Sequence, residues 1–93
     1  MYKVITTNQF EKNVRLCEKR GYDMSLLYDV MILLIETGSL PITYHPHKLK
    51  GKYTGHWECH LRPDWIMVWK KNKQELILTM TATGTHADVF EQG

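Results

Sequence analysis

The chain has 93 residues, a net charge of +2, two cysteines and three tryptophans. That length allows one domain, 1–93, whose core closes without staples if helices cover a sheet. Cys17 and Cys59 form no CxxC pair, which excludes a disulfide scaffold and predicts core thiols in a reducing compartment. The longest apolar stretch, Met31 to Ile35, falls far short of a membrane span, and Met1-Tyr2-Lys3-Val4 lacks the apolar run of a secretory signal. A cytoplasmic protein with no membrane contact is expected.

Tyr2 to Thr6 alternates β-formers and predicts an N-terminal strand. Thr7 or Asn8 can cap a helix in which Phe10, Val14 and Cys17 recur at helical spacing, and Gly21 stops it after Arg20. Asp23 caps a second helix with a broad apolar stripe through Met24, Leu27, Val30, Met31, Leu34 and Ile35, ended by Thr37-Gly38. The methionines fall on that stripe, so they read as core filler. Leu40 to Gly51, interrupted by Pro41 and Pro46, reads as a loop. Loops of that length in compact domains are usually functional or mobile.

Tyr53 to Leu61 alternates again. Tyr53, Gly55, Trp57, Cys59 and Leu61 suit a core face, while Thr54, His56, Glu58 and His60 face the other way. Pro63-Asp64 makes a tight connection to an antiparallel strand from Trp65 to Lys70, and Glu75 to Thr81 supplies the last strand. The expected fold is α+β: an N-terminal strand, a two-helix hairpin on one face, and a three-strand antiparallel meander in one twisted sheet. The tail from Ala82 to Phe90 is too polar and Gly-broken for a strand. It is expected to fold back so that His86 approaches His60.

Charge is unevenly spread. Seven of the twelve cationic residues lie between His45 and Lys73 against only two acids, Glu58 and Asp64, together with four of the five histidines and all three tryptophans. Cations interleaved with aromatic rings suit a nucleic-acid surface, because cations neutralise phosphates and rings stack on bases. A solvated basic face is the plainer alternative.

The hexapeptide His60-Leu61-Arg62-Pro63-Asp64-Trp65 concentrates an imidazole, a guanidinium, a carboxylate and an indole. With His47 and His86 it provides the parts of metal-free acid–base chemistry on RNA: a base for the 2′-hydroxyl, an acid for the leaving 5′-oxygen, and nearby cations. A zinc site on Cys59 and His60 is disfavoured, since adjacent strand residues point to opposite faces. A Cys–His nucleophile fails for the same reason, with Cys59 expected in the core. His56 reads as an ordinary surface histidine. No nucleotide or other cofactor motif is present.

Two separated runs carry a family resemblance. Trp57-Glu58-Cys59-His60-Leu61-Arg62-Pro63-Asp64-Trp65, with Thr83-Gly84-Thr85-His86-Ala87-Asp88-Val89-Phe90 near the C-terminus, resembles the YafQ branch of the RelE superfamily of bacterial toxins along essentially the whole chain. The resemblance implies a RelE-like fold and a ribosome-dependent endoribonuclease that cuts mRNA, needs no cofactor and is neutralised by a cognate antitoxin. Operator DNA would be contacted only through that antitoxin. Carried over by position, the catalytic residues are His47, His60, Asp64 and His86. His86 would be the general acid, and His60 with Asp64 the base or its orienter. Lys48, Lys50, Lys52, Trp65 and Phe90 are the expected RNA contacts, Lys48 meeting phosphate beside His47 and Trp65 or Phe90 stacking on a base. Ala82 stands where the family usually carries an arginine, which predicts weakened charge stabilisation of the transition state. The alternative is a degenerate toxin that binds antitoxin or ribosome without turnover.

Overall fold

The sheet is built outward from a strand that is apolar on both faces. In the computed structural model, which describes residues 1–91, Trp65 to Trp69 are all buried. Trp65, Met67 and Trp69 join one apolar cluster, Ile66 and Val68 another. A strand of this composition belongs in a sheet interior.

The elements run β1 (Lys3–Thr6), α1 (Asn8–Lys19), α2 (Met24–Thr37), β2 (His47–Lys48), β3 (Trp57–Arg62), β4 (Trp65–Asn72), β5 (Ile77–Gly84) and α3 (His86–Phe90). The five strands lie in the order β1-β5-β4-β3-β2, with β1 parallel to β5 and the other pairs antiparallel. The expected strand, helical hairpin and meander are all present. Thr7 caps α1 by accepting from the Phe10 amide, Asp23 caps α2 from the Ser25 amide, and Gly38 closes α2 in the left-handed region. The hairpin lays Phe10, Cys17, Leu27, Val30 and Leu34 against Cys59, Trp65, Met67, Trp69, Leu78 and Met80. Fully burying a Leu or Val side chain of this kind contributes about 1.5–3 kcal/mol.

Three local expectations change. The region read as a loop contains a 3-10 turn, Ile42–Tyr44, and the two-residue strand β2, whose His47 and Lys48 pair with Glu58 and Trp57. The strand read from Tyr53 begins at Trp57, because Gly51–Tyr53 forms a 3-10 turn that sends Tyr53 into the cluster on the far side of the sheet. The last strand continues through Gly84, and the tail beyond it is helical.

The far face of the sheet is covered as well. Val89 of α3, Tyr53 and the partly buried Leu49 pack over Ile66, Val68 and Ala82. Ala82 reaches this face through a bulge. Val68 pairs with Ala82 but Trp69 with Met80, leaving Thr81 as the extra residue. The bulge reverses the alternation that would have put Ala82 beside Leu78 and Met80. Thr7 Oγ1 anchors it by donating to the Thr81 carbonyl at 2.7 Å.

α3 has five residues, too few to be stable alone. A capping box holds it: Thr85 Oγ1 accepts from the Asp88 amide at 3.0 Å and Asp88 Oδ2 accepts from the Thr85 amide at 2.9 Å. Arg20, at the end of α1, grips the same carboxylate with two nitrogens, at 2.5 and 3.1 Å. Gly84, at φ 137°, leaves room for it, since a β-carbon there would sit 2.6 Å from Asp88 Oδ2. Among the described residues, no helix is long and apolar enough to cross a membrane.

The Arg20 guanidinium holds the Asp88 carboxyl down at about 2, from an ordinary 3.8. A depressed carboxylate contributes stability that is complete above its unfolded value and disappears as the pH falls through the folded one. Thermal melts should therefore lose stability between about pH 4 and pH 2, and Asp88→Asn should flatten that part of the profile while lowering the Tm at pH 7.

Candidate active site

The register of two short antiparallel pairs sorts the polar side chains by face. β2 opposes His47 to Glu58, and two residues along β3 His60 emerges on the same face. The Glu58 carboxylate is 4% exposed, and its Oε1 lies 3.3 Å from both His47 Nε2 and His60 Nε2. His47 Nδ1 lies 2.9 Å from the His45 carbonyl. Both of its nitrogens thus face oxygen atoms.

His86 arrives from the other side, on the first turn of α3. Its Nδ1 is 2.7 Å from Asp64 Oδ1, which also accepts from the His86 amide at 3.1 Å. These bonds, from the side chain first and the backbone second, hold the Asp64 carboxyl below its ordinary value. With Nδ1–H committed to a carboxylate, Nε2 is the His86 nitrogen left for a substrate. The His60 and His86 rings are 5.7 Å apart between centres, and the His47 ring is 6.3 Å from that of His60.

All four expected catalytic residues therefore meet in one cleft, with the carboxylates distributed differently from the expectation. Asp64 bonds to His86, and the carboxylate that bonds to His60 is Glu58. The cleft holds two acid–imidazole pairs facing each other. Sequence reasoning gave Glu58 no role, although its spacing two residues before His60 on a strand was the available signal. Glu58, His60 and His86 each offer one ligand atom, all within 4.8 Å of one another. This trio, and not Cys59 with His60, is the geometry that could hold a cation. Cys59 sits in the core, where burial pushes its thiol up to about 12.

The expected RNA contacts divide. Phe90 is exposed, its ring 6.2 Å from that of His86 at an interplanar angle of 30°, and edge-on to Tyr53 at 5.7 Å. Lys50 and Lys52 are exposed on the segment between β2 and β3, Lys52 Nζ lying 5.7 Å from the Tyr53 ring centre. Lys48 shares a register position with Trp57, so it points to the opposite face of the sheet from His47. It does not meet phosphate in this cleft.

Trp65 is 3% exposed and cannot stack on a base. Its ring packs against Tyr22 at 4.8 Å and its Nε1 donates to Thr83 Oγ1 at 3.0 Å. Thr83 Oγ1 in turn donates to the Ile66 carbonyl at 2.7 Å, and its amide donates to Asn13. The indole is a strut between the two sequence runs that carry the histidines.

The chain matches, over residues 2–91, the family described as bacterial toxin of type II toxin-antitoxin system, YafQ. The chain belongs to this family. It is 40% identical to the mRNA interferase toxin YafQ of Escherichia coli strain K12 over 85 residues, 90% of each chain. The fold superposes on the E. coli DinJ-YafQ complex with a TM-score of 0.87 at 36% identity, covering 97% of this chain and 99% of that one. It matches a metal-bound toxin from Helicobacter pylori with the same TM-score and identity, over 97% of this chain and all of the other. The α+β, RelE-like architecture expected from sequence is thus the one found for a YafQ-family toxin.

If Trp65 is a strut, Trp65→Phe should cost about 1–3 kcal/mol in denaturant unfolding through the orphaned Thr83 bond. RNA affinity of the folded fraction should stay unchanged.

Proposed function

We propose that this YafQ-family chain is an endoribonuclease of the mRNA interferase type, which cuts mRNA on the ribosome by metal-free acid–base chemistry. The observation that carries this reading is the pair of carboxylate-backed imidazoles, Glu58–His60 and Asp64–His86, with ring centres 5.7 Å apart. His60, its Nε2 directed at Glu58, takes the proton of the ribose 2′-hydroxyl through Nδ1. The 2′-oxygen attacks the adjacent phosphorus, and the bond from phosphorus to the 5′-oxygen breaks. His86 gives that oxygen a proton from Nε2, and the Asp64 carboxylate stabilises the imidazolium that supplies it. The products are a 2′,3′-cyclic phosphate and a 5′-hydroxyl. His47 contacts the phosphate, and Phe90, beside His86, stacks on a base. The protein acts in the cytoplasm and is neutralised by a cognate antitoxin, through which alone it meets operator DNA.

Ala82 supports a weakened enzyme. It is fully buried under Val89 and Tyr53 on the cleft side of the sheet, so the position supplies packing and no charge. Losing one such donor commonly costs about 10²–10³ in rate. Ala82→Arg should raise the cleavage rate while overpacking the site by about 1–3 kcal/mol in thermal unfolding. Growth arrest by neither form, given folded protein, would favour the binding-module reading.

Primer extension on a translating reporter mRNA tests the chemistry. Discrete translation-dependent cuts are expected, and His86→Ala or His60→Ala should reduce them by about 10²–10⁴. Unchanged cutting by His86→Ala removes the assigned acid.

A second reading of the same residues is favoured by the Glu58, His60 and His86 trio and by the metal-bound H. pylori relative. A divalent cation held by His60 and His86 would tie up the imidazoles that move protons, and would therefore inhibit. Zinc should slow cleavage and EDTA restore it. Loss of cleavage on EDTA treatment would overturn the metal-free mechanism.

A further inference from the structure

The catalytic cleft leaves one basic and aromatic region unused. Alternation along β2 and β3 sends His47 and Glu58 to the cleft and their neighbours Lys48 and Trp57 to the opposite face. There Lys48 Nζ lies 5.6 Å and Lys71 Nζ 5.7 Å from the Trp57 ring. Lys73 joins them in lining a recess of about 330 Å³. A second hollow, of about 190 Å³, shares Trp57 and Lys71 with the first and adds Trp69 to its wall. The two indoles are nearly parallel, 14° apart.

Three like charges are gathered at this spot. Among the described residues, none of the three lysines forms an ion pair. The amine of Lys71 is fixed by donating to the Gly38 carbonyl at 2.7 Å, at the C-terminal end of α2. That bond explains Lys71. It leaves Lys48, beside the Trp57 ring, and Lys73 without a hydrogen-bond or ion-pair partner among the described residues, and burial together with these two charges pushes the Lys71 amine below its ordinary value. Like charges held together without a counterion repel, and a bound anion would relieve the repulsion.

We propose that this face is a second RNA-binding site, separate from the histidine cleft, in which the lysines take a backbone phosphate and the half-buried Trp57 ring stacks on an unpaired base. Lysines alone would suit an acidic peptide equally well. The half-buried Trp57 ring, directly beside the cations, favours a nucleotide, because cation and stacking surface are the two components of single-strand RNA binding. The site would hold RNA away from the scissile bond, so it goes beyond the assigned chemistry and does not depend on it.

The experiment measures the affinity of a 2′-O-methyl oligoribonucleotide, which neither this nor any 2′-hydroxyl mechanism can cleave, across a salt series. The variants are Lys48→Gln/Lys71→Gln/Lys73→Gln, Lys48→Gln/Lys73→Gln and Trp57→Leu, each checked for folding. The double variant keeps the Lys71 bond to α2, so it remains informative if the triple variant is unstable.

Expected is a loss of about tenfold or more in affinity, with the salt slope shallower by about 0.7 for each phosphate contact removed. Trp57→Leu should lose about tenfold without changing the slope. Unchanged affinity and slope in the folded double variant would overturn the proposal. So would an equal loss for a polyglutamate peptide of matched charge, which would assign the face to an acidic protein partner. His86→Ala should leave these slopes unchanged whether or not it abolishes cleavage, so failure of the catalytic reading and failure of this one are distinguishable.

Discussion

The candidate active site depends on how a five-residue helix is held against the sheet. α3 buries one fully enclosed side chain, Val89, and carries His86 and Phe90 on its first and last positions. The Asp88 carboxylate does most of the holding. It closes the capping box with Thr85 and receives both nitrogens of Arg20 from the far end of α1. A cap contributes about 1 kcal/mol and a partly exposed ion pair less than that. The position of His86 therefore rests on small terms acting together, and Gly84 is required because any β-carbon would displace the carboxylate they share.

The sheet performs a second sorting. Period-two alternation on β2 and β3 brings His47, Glu58 and His60 onto the cleft side and sends Lys48 and Trp57 to the other. One edge of the sheet then presents imidazoles on one face and cations beside an indole on the opposite face. Bulges modify this regularity at two places. One lies between His60 and Arg62 ahead of the Pro63-Asp64 turn, and the other at Thr81 rotates Ala82 toward the cleft. Irregularities of this kind commonly sit beside active sites, where they re-aim side chains.

Much of the architecture was legible because its signals are local. Thr7, Asp23 and Gly38 cap helices by bonds or backbone angles confined to a few residues, and the apolar stripe of α2 repeats at helical period. The antiparallel pair of β3 and β4 follows from a two-residue turn. The strand start at Trp57 was misplaced because Gly51–Tyr53 forms a turn that alternation alone cannot reveal. β2 was missed because two residues carry no periodic signal and gain their structure only from pairing with β3. Trp65 is assigned to RNA through the family resemblance, and an indole beside a histidine suits either stacking or packing. Only its contacts with Tyr22 and Thr83 decide between them.

By itself the sequence determined the class of fold, the caps, the core stripe and the membership of a toxin family. Each of these is encoded in composition, short-range spacing or a motif. Which carboxylate serves which imidazole was decided only by tertiary structure. Asp64 is four residues from His60 and twenty-two from His86, yet it bonds to His86, because the turn after β3 points it toward the docked α3. The same holds for Ala82 and Lys48, whose faces depend on a bulge and on a two-residue pairing. Such placements are set by register between distant segments, and register is a property of the packed sheet.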